Sequence, residues 1–560
     1  MKAKQKSESN MQKSWMMSAL ERISEQNADH PLIIQGNEVQ TRAQILEISQ
    51  KIAGFLVEHG VKRDTRVIFD IDIKLSWRVL ACWCACQCVG AVAFFWPVDM
   101  RYRHEVEEMK ASDAMNDTPT MVLLGSVKRV EQWRKADLEN HVSGRVLLDL
   151  TGACHDMNDV VSWDKVLQGA IYPPTECPNE ATILYTQGSH QFERSVELSL
   201  THLRDEAEEL QKRFELDMNS RLLSDLQIVN SVNLSLFAAC VHSGAVWVCH
   251  DINAGLSDLK EAGITHAFLL PSTLSRYIEQ IKFPEDHSAF SLRWRRFGLR
   301  ACRLRAKRKT IFTNMIQKGI IAPLRETYFP ALKAIISYGN HFETEIGEFF
   351  SYLDIPVFNA YTLSELGFVH VHAFMGDGGF LKCVDARIKS GILAVKSKRS
   401  NHFIDTEDLV FEDERSGLCS KRSFMIKLEN GVEVDVSPMR EILRREALID
   451  EIFIFGSGKP YLTGLIYLNE KAFRAFAQEN KLEGEFADLA QDAQVYKYIR
   501  GIVDRCNLRR SSNESIQKIA ILRCPLERDP RILTPCGLTR RVDVERRYAQ
   551  ILDAFYRENF

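Results

Sequence analysis

Apolar residues recur at helical spacing in the segment TRAQILEISQKIAGFLVEHG, Thr41–Gly60. Ile45, Leu46, Ile48, Ile52, Phe55 and Leu56 form one stripe there, and Gly60 stops the pattern. Residues 16–60 read as helical segments, and Arg66–Asp72 is a short strand-like run. The longest apolar stretch follows, Val79–Val98 (VLACWCACQCVGAVAFFWPV), with Gln87 as its one strongly polar residue. Its length meets the roughly 20 residues of a membrane span. Gly90 and Pro97 punctuate it and no second such segment exists, so it predicts a buried helix, a break at Gly90 and a buried strand ending at Pro97. Val122–Leu124, Val146–Leu150, Thr182–Thr186, Ala267–Leu270, Ala334–Ser337 and Val357–Asn359 are short β-type runs between polar helical patterns. Leu222–Asp251 reads as a helix followed by the strand AVWVCH. Such alternation implies α/β layers with parallel strands.

After about Asp405 the texture changes. Strand-rich hairpins (FIDTEDLVFEDE, RSFMIKLENGVEVDVS) lead into a helix from Pro438, then the strands EIFIFG and LTGLIYLN; the last ~60 residues read as helix, strand, turn, helix. The organisation predicted is a polar tail over residues 1–15 and a large multi-layer α/β domain over 16–415, with parallel-type sheets flanked by helices. A smaller α+β C-terminal domain takes residues 416–560. No internal repeat or low-complexity segment interrupts this.

Length and composition narrow the classes. A chain of 560 residues suggests two or three domains. Hydrophobic residues at 45% and charged residues at 26% exclude a largely disordered, collagen-like or small disulfide-framework protein. Lys+Arg 72 against Asp+Glu 75 leaves a net charge of −3, so no basic field argues for nucleic acid as a partner. The N-terminal MKAKQKSESNMQKSW has no apolar run after it and does not read as a secretory signal. Fourteen cysteines without framework spacing read as reduced thiols of a cytoplasmic protein. Cys82, Cys84, Cys86 and Cys88 would point about 200° apart in turn on a helix, so all four cannot face one metal. His370 and His372 would share a strand face without a third ligand, as a structural pair. Arg293–Lys309, RWRRFGLRACRLRAKRK, holds nine basic residues and no acid. It reads either as a solvated basic helix or as a patch for anionic lipid, CoA-like phosphates or an acidic protein partner, which adds peripheral membrane contact as an alternative.

Five segments in order carry a resemblance. They are YTQGSHQFERSVEL at Tyr185–Leu198, IISYGNHFETEIGEFFSYLDIPVFNAYTLSE at Ile335–Glu365, DTEDLVFEDE at Asp405–Glu414, SKRSFMIKLENGVEVDVSP at Ser420–Pro438, and LTPCGLTRRVDVERRYAQILDAFY at Leu533–Tyr556. Together they resemble the adenylate-forming (AMP-binding) superfamily, in particular long-chain fatty acyl-CoA synthetases, over nearly the whole chain. The resemblance implies activation of a carboxylic acid by ATP with Mg²⁺, through an acyl-adenylate and pyrophosphate. It also implies a mobile C-terminal domain that rotates so that CoA can attack.

That chemistry sets a carboxylate beside a triphosphate, so a site needs cations and N–H donors at the developing charge. Glycines that let backbone approach phosphate, hydroxyls and a lysine supply them in a phosphate loop. Thr186, Gly188 and Ser189 match that loop, and Arg194 is its only cation; Gln187, His190, Gln191, Phe192 and Glu193 depart from it, the last two by bulk and negative charge. By the resemblance Gly339 and Asn340 form the turn beside adenine, Tyr361 is the aromatic against it, and Asp408 binds ribose hydroxyls. Ser364 replaces a threonine, and Glu365 is the Mg²⁺-linked acid. The catalytic lysine aligns with Leu538, the arginine after the hinge with Lys421, and a histidine lining the acyl site with Asn230. The losses cluster at phosphate chemistry, and Gly at 29 of 560, about 5% against a usual ~7%, agrees with lost Gly-rich loops. The expectation is a synthetase-like protein with weakened or lost ATP-dependent activation and a role in binding an acyl or carboxylate ligand or a protein partner. The alternatives are an active divergent ligase and an anionic-surface module.

Overall fold

Thr41 and Gln44 close a capping box: Gln44 N–H donates to Thr41 Oγ1 at 3.3 Å and Thr41 N–H donates to Gln44 Oε1 at 2.8 Å. They start helix Arg42–Glu58, and Gly60 follows its end at φ +87°. In this computed structural model the predicted stripe faces inward, with Ile45, Ile52, Phe55 and Leu56 buried. Arg42 is fully buried on the same helix, which periodicity did not predict. Its guanidinium donates to Ile23 O at 3.2 Å and to Gly244 O at 2.5 Å. Those carbonyls end helices Trp15–Gln26 and Ser231–Ser243, so one cation serves two negative helix termini.

The structure describes residues 14–70, 76–95, 120–124, 144–145, 147–149, 160–173, 181–185, 195–224, 229–249, 256–282, 322–339, 344–389, 392–410, 419–420, 425–444, 446–508, 510–526, 532 and 541–557. The chain divides into two compact units, the larger ending at Cys419 and the smaller taking Ser420–Phe560 and, among the described residues before it, Glu407–Leu409.

Two large sheets dominate the described part of the larger unit, beside a four-stranded sheet that includes Val384–Lys389, Ile392–Ser397 and Ile404–Val410 and the strand pair Leu147–Asp149 and Val160–Ser162. One has nine strands in the order Gly378–Phe380, Gly367–Ala373, Val357–Leu363, Ala334–Tyr338, His266–Leu269, Arg221–Ser224, Val246–Cys249, Pro31–Gln35 and Glu38–Thr41. Its centre, from Val357–Leu363 to Pro31–Gln35, is parallel, and its edges are antiparallel. The other has six, in the order Ser195–Ser199, Ala181–Tyr185, Val92–Phe95, Arg66–Asp70, Thr120–Leu124 and Gly144–Arg145. Helices such as Trp77–Val89, Leu200–Phe214 and Ser231–Ser243 pack with them, as α/β layering requires.

The apolar stretch divides as its punctuation predicts, into helix Trp77–Val89, Gly90 at φ +76° and strand Val92–Phe95. No helix among the described residues is long and apolar enough to cross a membrane. Cys82, Cys84, Cys86 and Cys88 are buried free thiols on that helix, and burial pushes Cys84 up to about 12.

Three readings need correction. Residues 16–60 are not helical throughout, because Pro31–Gln35 and Glu38–Thr41 are strands. Leu222–Asp251 opens with strand Arg221–Ser224 rather than a helix. Strand-rich structure begins well before Asp405, with Gly367–Ala373, Val384–Lys389 and Ile392–Ser397. These strands are short, and sheet neighbours rather than local periodicity specify them.

In the smaller unit, strand Leu462–Leu468 pairs antiparallel with Ile449–Phe455 and parallel with Ile516–Ile521. Helix Ala493–Asn507 packs Val495, Ile499, Ile502 and Val503 into this core. Glu451 is buried and takes Arg440 as a bidentate partner at 3.0 and 2.6 Å. Arg541, at the start of helix Arg541–Arg547, donates to Ile454 O and lies over the Phe455 ring at 4.7 Å. Burial pushes its guanidinium down to about 10.

Candidate functional site

Parallel strands Arg221–Ser224, His266–Leu269, Ala334–Tyr338 and Val357–Leu363 bring their carboxyl ends to one rim of the large sheet. Arg221–Ser224 pairs with Val246–Cys249 on one side and His266–Leu269 on the other, so the strand order reverses there. Open α/β sheets take ligands outside the carboxyl ends at such a point. Ser224 Oγ lies 3.2 Å from Tyr338 Oη, which ties two of these strand ends together.

Gly339 follows Tyr338 on the rim at φ +88°, and a Cβ there would stand 2.9 Å from Leu270 Cδ2. The positive φ is what favours glycine at this turn, since the Leu270 methyl could move aside. Tyr338 pairs with Ala360, and Gly339 and Tyr361 are the residues that follow this last pair on the two neighbouring chain segments. The Tyr361 side chain is partly exposed, as are Ser364 and Glu365.

Ser364 and Glu365 sit in the loop of a hairpin between strands Val357–Leu363 and Gly367–Ala373, whose register joins Leu363 to Gly367. The three loop residues are followed by Gly367 at φ +64°, a turn chemistry that hairpins of this length use. A bulge falls between Tyr361 and Thr362. Leu366 N–H donates to Leu363 O at 3.4 Å across the loop, and Ser231 Oγ donates to the same carbonyl at 3.0 Å.

Helix Leu200–Phe214 lies against the returning strand. His202 Nε2 is 3.0 Å from Leu366 O, and because a carbonyl only accepts, Nε2 carries the hydrogen. Glu206 Oε1 accepts Phe368 N–H at 2.5 Å, and Glu206 Oε2 is 2.6 Å from Ser235 Oγ. Burial pushes His202 down and Glu206 up to about 8, against the hydrogen bonds that each makes.

Two further candidates lie on other elements. Asn230 is the N-cap of helix Ser231–Ser243, its Oδ1 accepting Asn233 N–H at 2.7 Å, so a local role explains its amide. Asp408 lies on strand Ile404–Val410. Thr186, Gly188, Ser189, Arg194, Asn340, Lys421, Leu538 and the basic Arg293–Lys309 lie outside the described residues. His370 and His372 stack at 6.2 Å on strand Gly367–Ala373, and burial holds His370 down at about 4. Among the described residues no three His, Cys, Asp or Glu converge as metal ligands.

Residues 20–389 match the family model described as AMP-binding enzyme, and residues 424–559 match that of the AMP-binding enzyme C-terminal domain. The chain belongs to the AMP-binding enzyme family. Among relatives of this family member, the long-chain-fatty-acid–CoA ligase FadD15 of Mycobacterium bovis is 23% identical over 569 aligned residues, covering 90% of this chain and 89% of the relative. The A domain of carboxylic acid reductase from Segniliparus rugosus, solved with AMP and a co-purified carboxylic acid, superposes with a TM-score of 0.67 at 15% identity. That match covers 97% of this chain and 94% of that one. The o-succinylbenzoate CoA synthetase MenE of Bacillus subtilis, solved with ATP and magnesium ion, gives 0.64 at 14% identity, covering 94% and 98%. At these identities the structural likeness is one of fold.

The donor chemistry of this AMP-binding family member fits magnesium. A single carboxylate such as Glu365, with phosphate oxygens and water completing the shell, is how Mg²⁺ is commonly held beside a nucleotide. The sequence did not point to Ser224, Tyr338, His202, Glu206, Ser231 or Ser235. A signal existed for two of them: His202 and Glu206 are polar residues four apart among the buried Leu203, Ala207 and Leu210.

Proposed function

We propose that this chain is an acyl-CoA synthetase-like, nucleotide-binding protein in which ATP-dependent activation of a carboxylic acid is weakened or lost. Leu538 carries the reading. It stands where the family resemblance expects the lysine that meets carboxylate and α-phosphate, and leucine neither carries charge nor donates a hydrogen bond. One well-placed donor is worth about 10²–10³ in rate. Phe192 and Glu193 in the loop segment and Lys421 in place of a bidentate arginine act in the same direction. The ligand side is better supported, by the Gly339 turn, Tyr361 on the neighbouring strand and the Glu365 hairpin held by Ser231 and Glu206. Glu365 would hold a magnesium ion that neutralises phosphate charge, Asp408 would accept ribose hydroxyls, and the FadD15 relative points to a fatty acid as the carboxylate.

The intact hairpin also favours a second reading, an active divergent ligase. Arg194, Tyr361, Glu365 and Asp408 would then carry activation, and the acyl group would pass to CoA or a carrier thiol.

Pyrophosphate release from the full chain, with Mg-ATP and short to long carboxylic acids, separates the two. The first reading expects release near background, and Leu538→Lys raises it tenfold or more, within the roughly 10²–10³ that one donor is worth. Strong release dependent on one acid in the unaltered protein overturns it and establishes the second reading, in which Glu365→Ala abolishes turnover.

A further inference from the structure

Three-residue hairpins take their shape from turn chemistry, and one alone in water is marginally stable at best. The Glu365 hairpin has an additional support beneath it. Glu206 is fully buried on helix Leu200–Phe214, and no cation pairs with it among the described residues. A carboxylate in such a place would be costly, and burial pushes the group up to about 8, toward the neutral acid. A neutral carboxyl keeps Oε1 as acceptor for Phe368 N–H and shares a proton between Oε2 and Ser235 Oγ, in either direction of donation. His202, one turn earlier on the same helix, holds Leu366 O. Gly367 lies between those two anchor points, and a Cβ there would come within 2.5 Å of Glu206 Oε1 and would also strike Ser235 Oγ. Residues 366, 367 and 368 therefore rest on the two helices without slack, directly after Glu365.

We propose that Glu206 is a positioning residue for the Glu365 hairpin. With Ser235 and His202 it forms a buried platform that sets the height and direction of the loop, and so the place of the Glu365 carboxylate in binding a magnesium–nucleotide. The metal part of this inference rests on the reading given under Proposed function; the platform rests on hydrogen bonds alone. A buried N–H that loses its acceptor keeps the full desolvation cost, so the loop opens more often once the acid is replaced by a hydrocarbon.

The test uses the full chain and the variants Glu206→Leu and Glu206→Gln. Amide hydrogen exchange at Gly367 and Phe368 is measured without ligand. ATP affinity is measured by calorimetry with Mg²⁺ and again with a chelator. Glu206→Leu is expected to speed exchange at Phe368 by about tenfold or more, leave the strand Ala334–Tyr338 protected, and cut the Mg²⁺-dependent gain in ATP affinity by about tenfold. Glu206→Gln, which keeps one acceptor and one donor in the same shape, is expected to stay within about twofold of the unaltered protein on both readouts. Unchanged exchange in Glu206→Leu overturns the proposal, as does a Gln variant as damaged as the Leu variant. Faster exchange with an unchanged Mg²⁺-dependent gain also overturns it, since the role is then structural only. If Glu206→Leu does not fold, Ser235→Ala takes its place, with faster Phe368 exchange expected and unchanged exchange overturning the platform. If the unaltered protein binds no ATP with Mg²⁺, the functional reading and the metal part fail, and the exchange arm decides the platform separately.

Discussion

At the residue scale, buried titratable groups make opposite demands on pH. Glu206 moves from an ordinary 4.5 up to about 8 through burial. Between those values the unfolded chain has released the proton that the folded chain keeps, so this group lowers stability as pH rises from about 4.5 to about 8. His370 moves from 6.5 down to about 4 through burial first and then through His372 and Arg213. The unfolded chain takes up that proton first, so this group costs stability as pH falls from about 6.5 to about 4. Glu206→Gln is therefore expected to flatten the decline in melting temperature between pH 6.5 and 8 relative to the unaltered protein. A slope equal to that of the unaltered protein would show that the acid is not neutral in the fold. The sequence places His370 and His372 on one strand face and gives Glu365 its turn. Of Glu206 it shows only a glutamate four residues after a histidine among apolar positions; the second helix and the hairpin that cover the pair are absent from the local pattern.

At the element scale, caps and stops are local and the anchors between elements are not. Thr41, Gln44, Gly60 and Gly90 do what their chemistry dictates wherever the helix is placed. Arg42 depends on partners 19 and 202 residues away. Two glycines separate these effects. Gly60 and Gly244 both have positive φ after a helix, +87° and +79°, but a Cβ on Gly60 meets nothing within 4 Å while one on Gly244 stands 2.9 Å from Arg42 Nη2. Gly60→Ala should cost about 1–2 kcal/mol of backbone strain. Gly244→Ala should cost more, because the guanidinium must shift away from the two carbonyls it holds, Ile23 O and Gly244 O. Urea unfolding midpoints compare the two; equal losses would show that Arg42 gives way freely. The strand Arg221–Ser224 shows the same division. Four residues carry too little pattern to announce a strand, yet they form the centre of a parallel sheet because two neighbours pair with them.

At the scale of the whole molecule, the segment Ser420–Phe560 has a core of its own, with Ile452, Leu462, Ile466, Leu468, Ile499 and Ile516 nearly or fully buried. Expressed alone, it is expected to melt cooperatively, and the full chain is expected to show a transition at the same temperature. A fragment that stays unfolded would show that this core needs the rest of the chain. By itself the sequence determined the α/β class, the buried helix–strand pair around Gly90, the smaller C-terminal unit and the order of five segments that resemble one family. The first three follow from periodicity and turn residues, which act over a few residues, and the last rests on the likeness of motifs to a known family. Only the tertiary structure decided that four strand ends share a rim, that Gly339 and Tyr361 follow paired residues of neighbouring strands, and that Glu206 holds Phe368 N–H beside the Glu365 hairpin. The reason is physical. A hydrogen bond between a helix at 206 and a strand at 368 exists only when the packing of two helices on a sheet has brought them within reach, and no local pattern carries that distance.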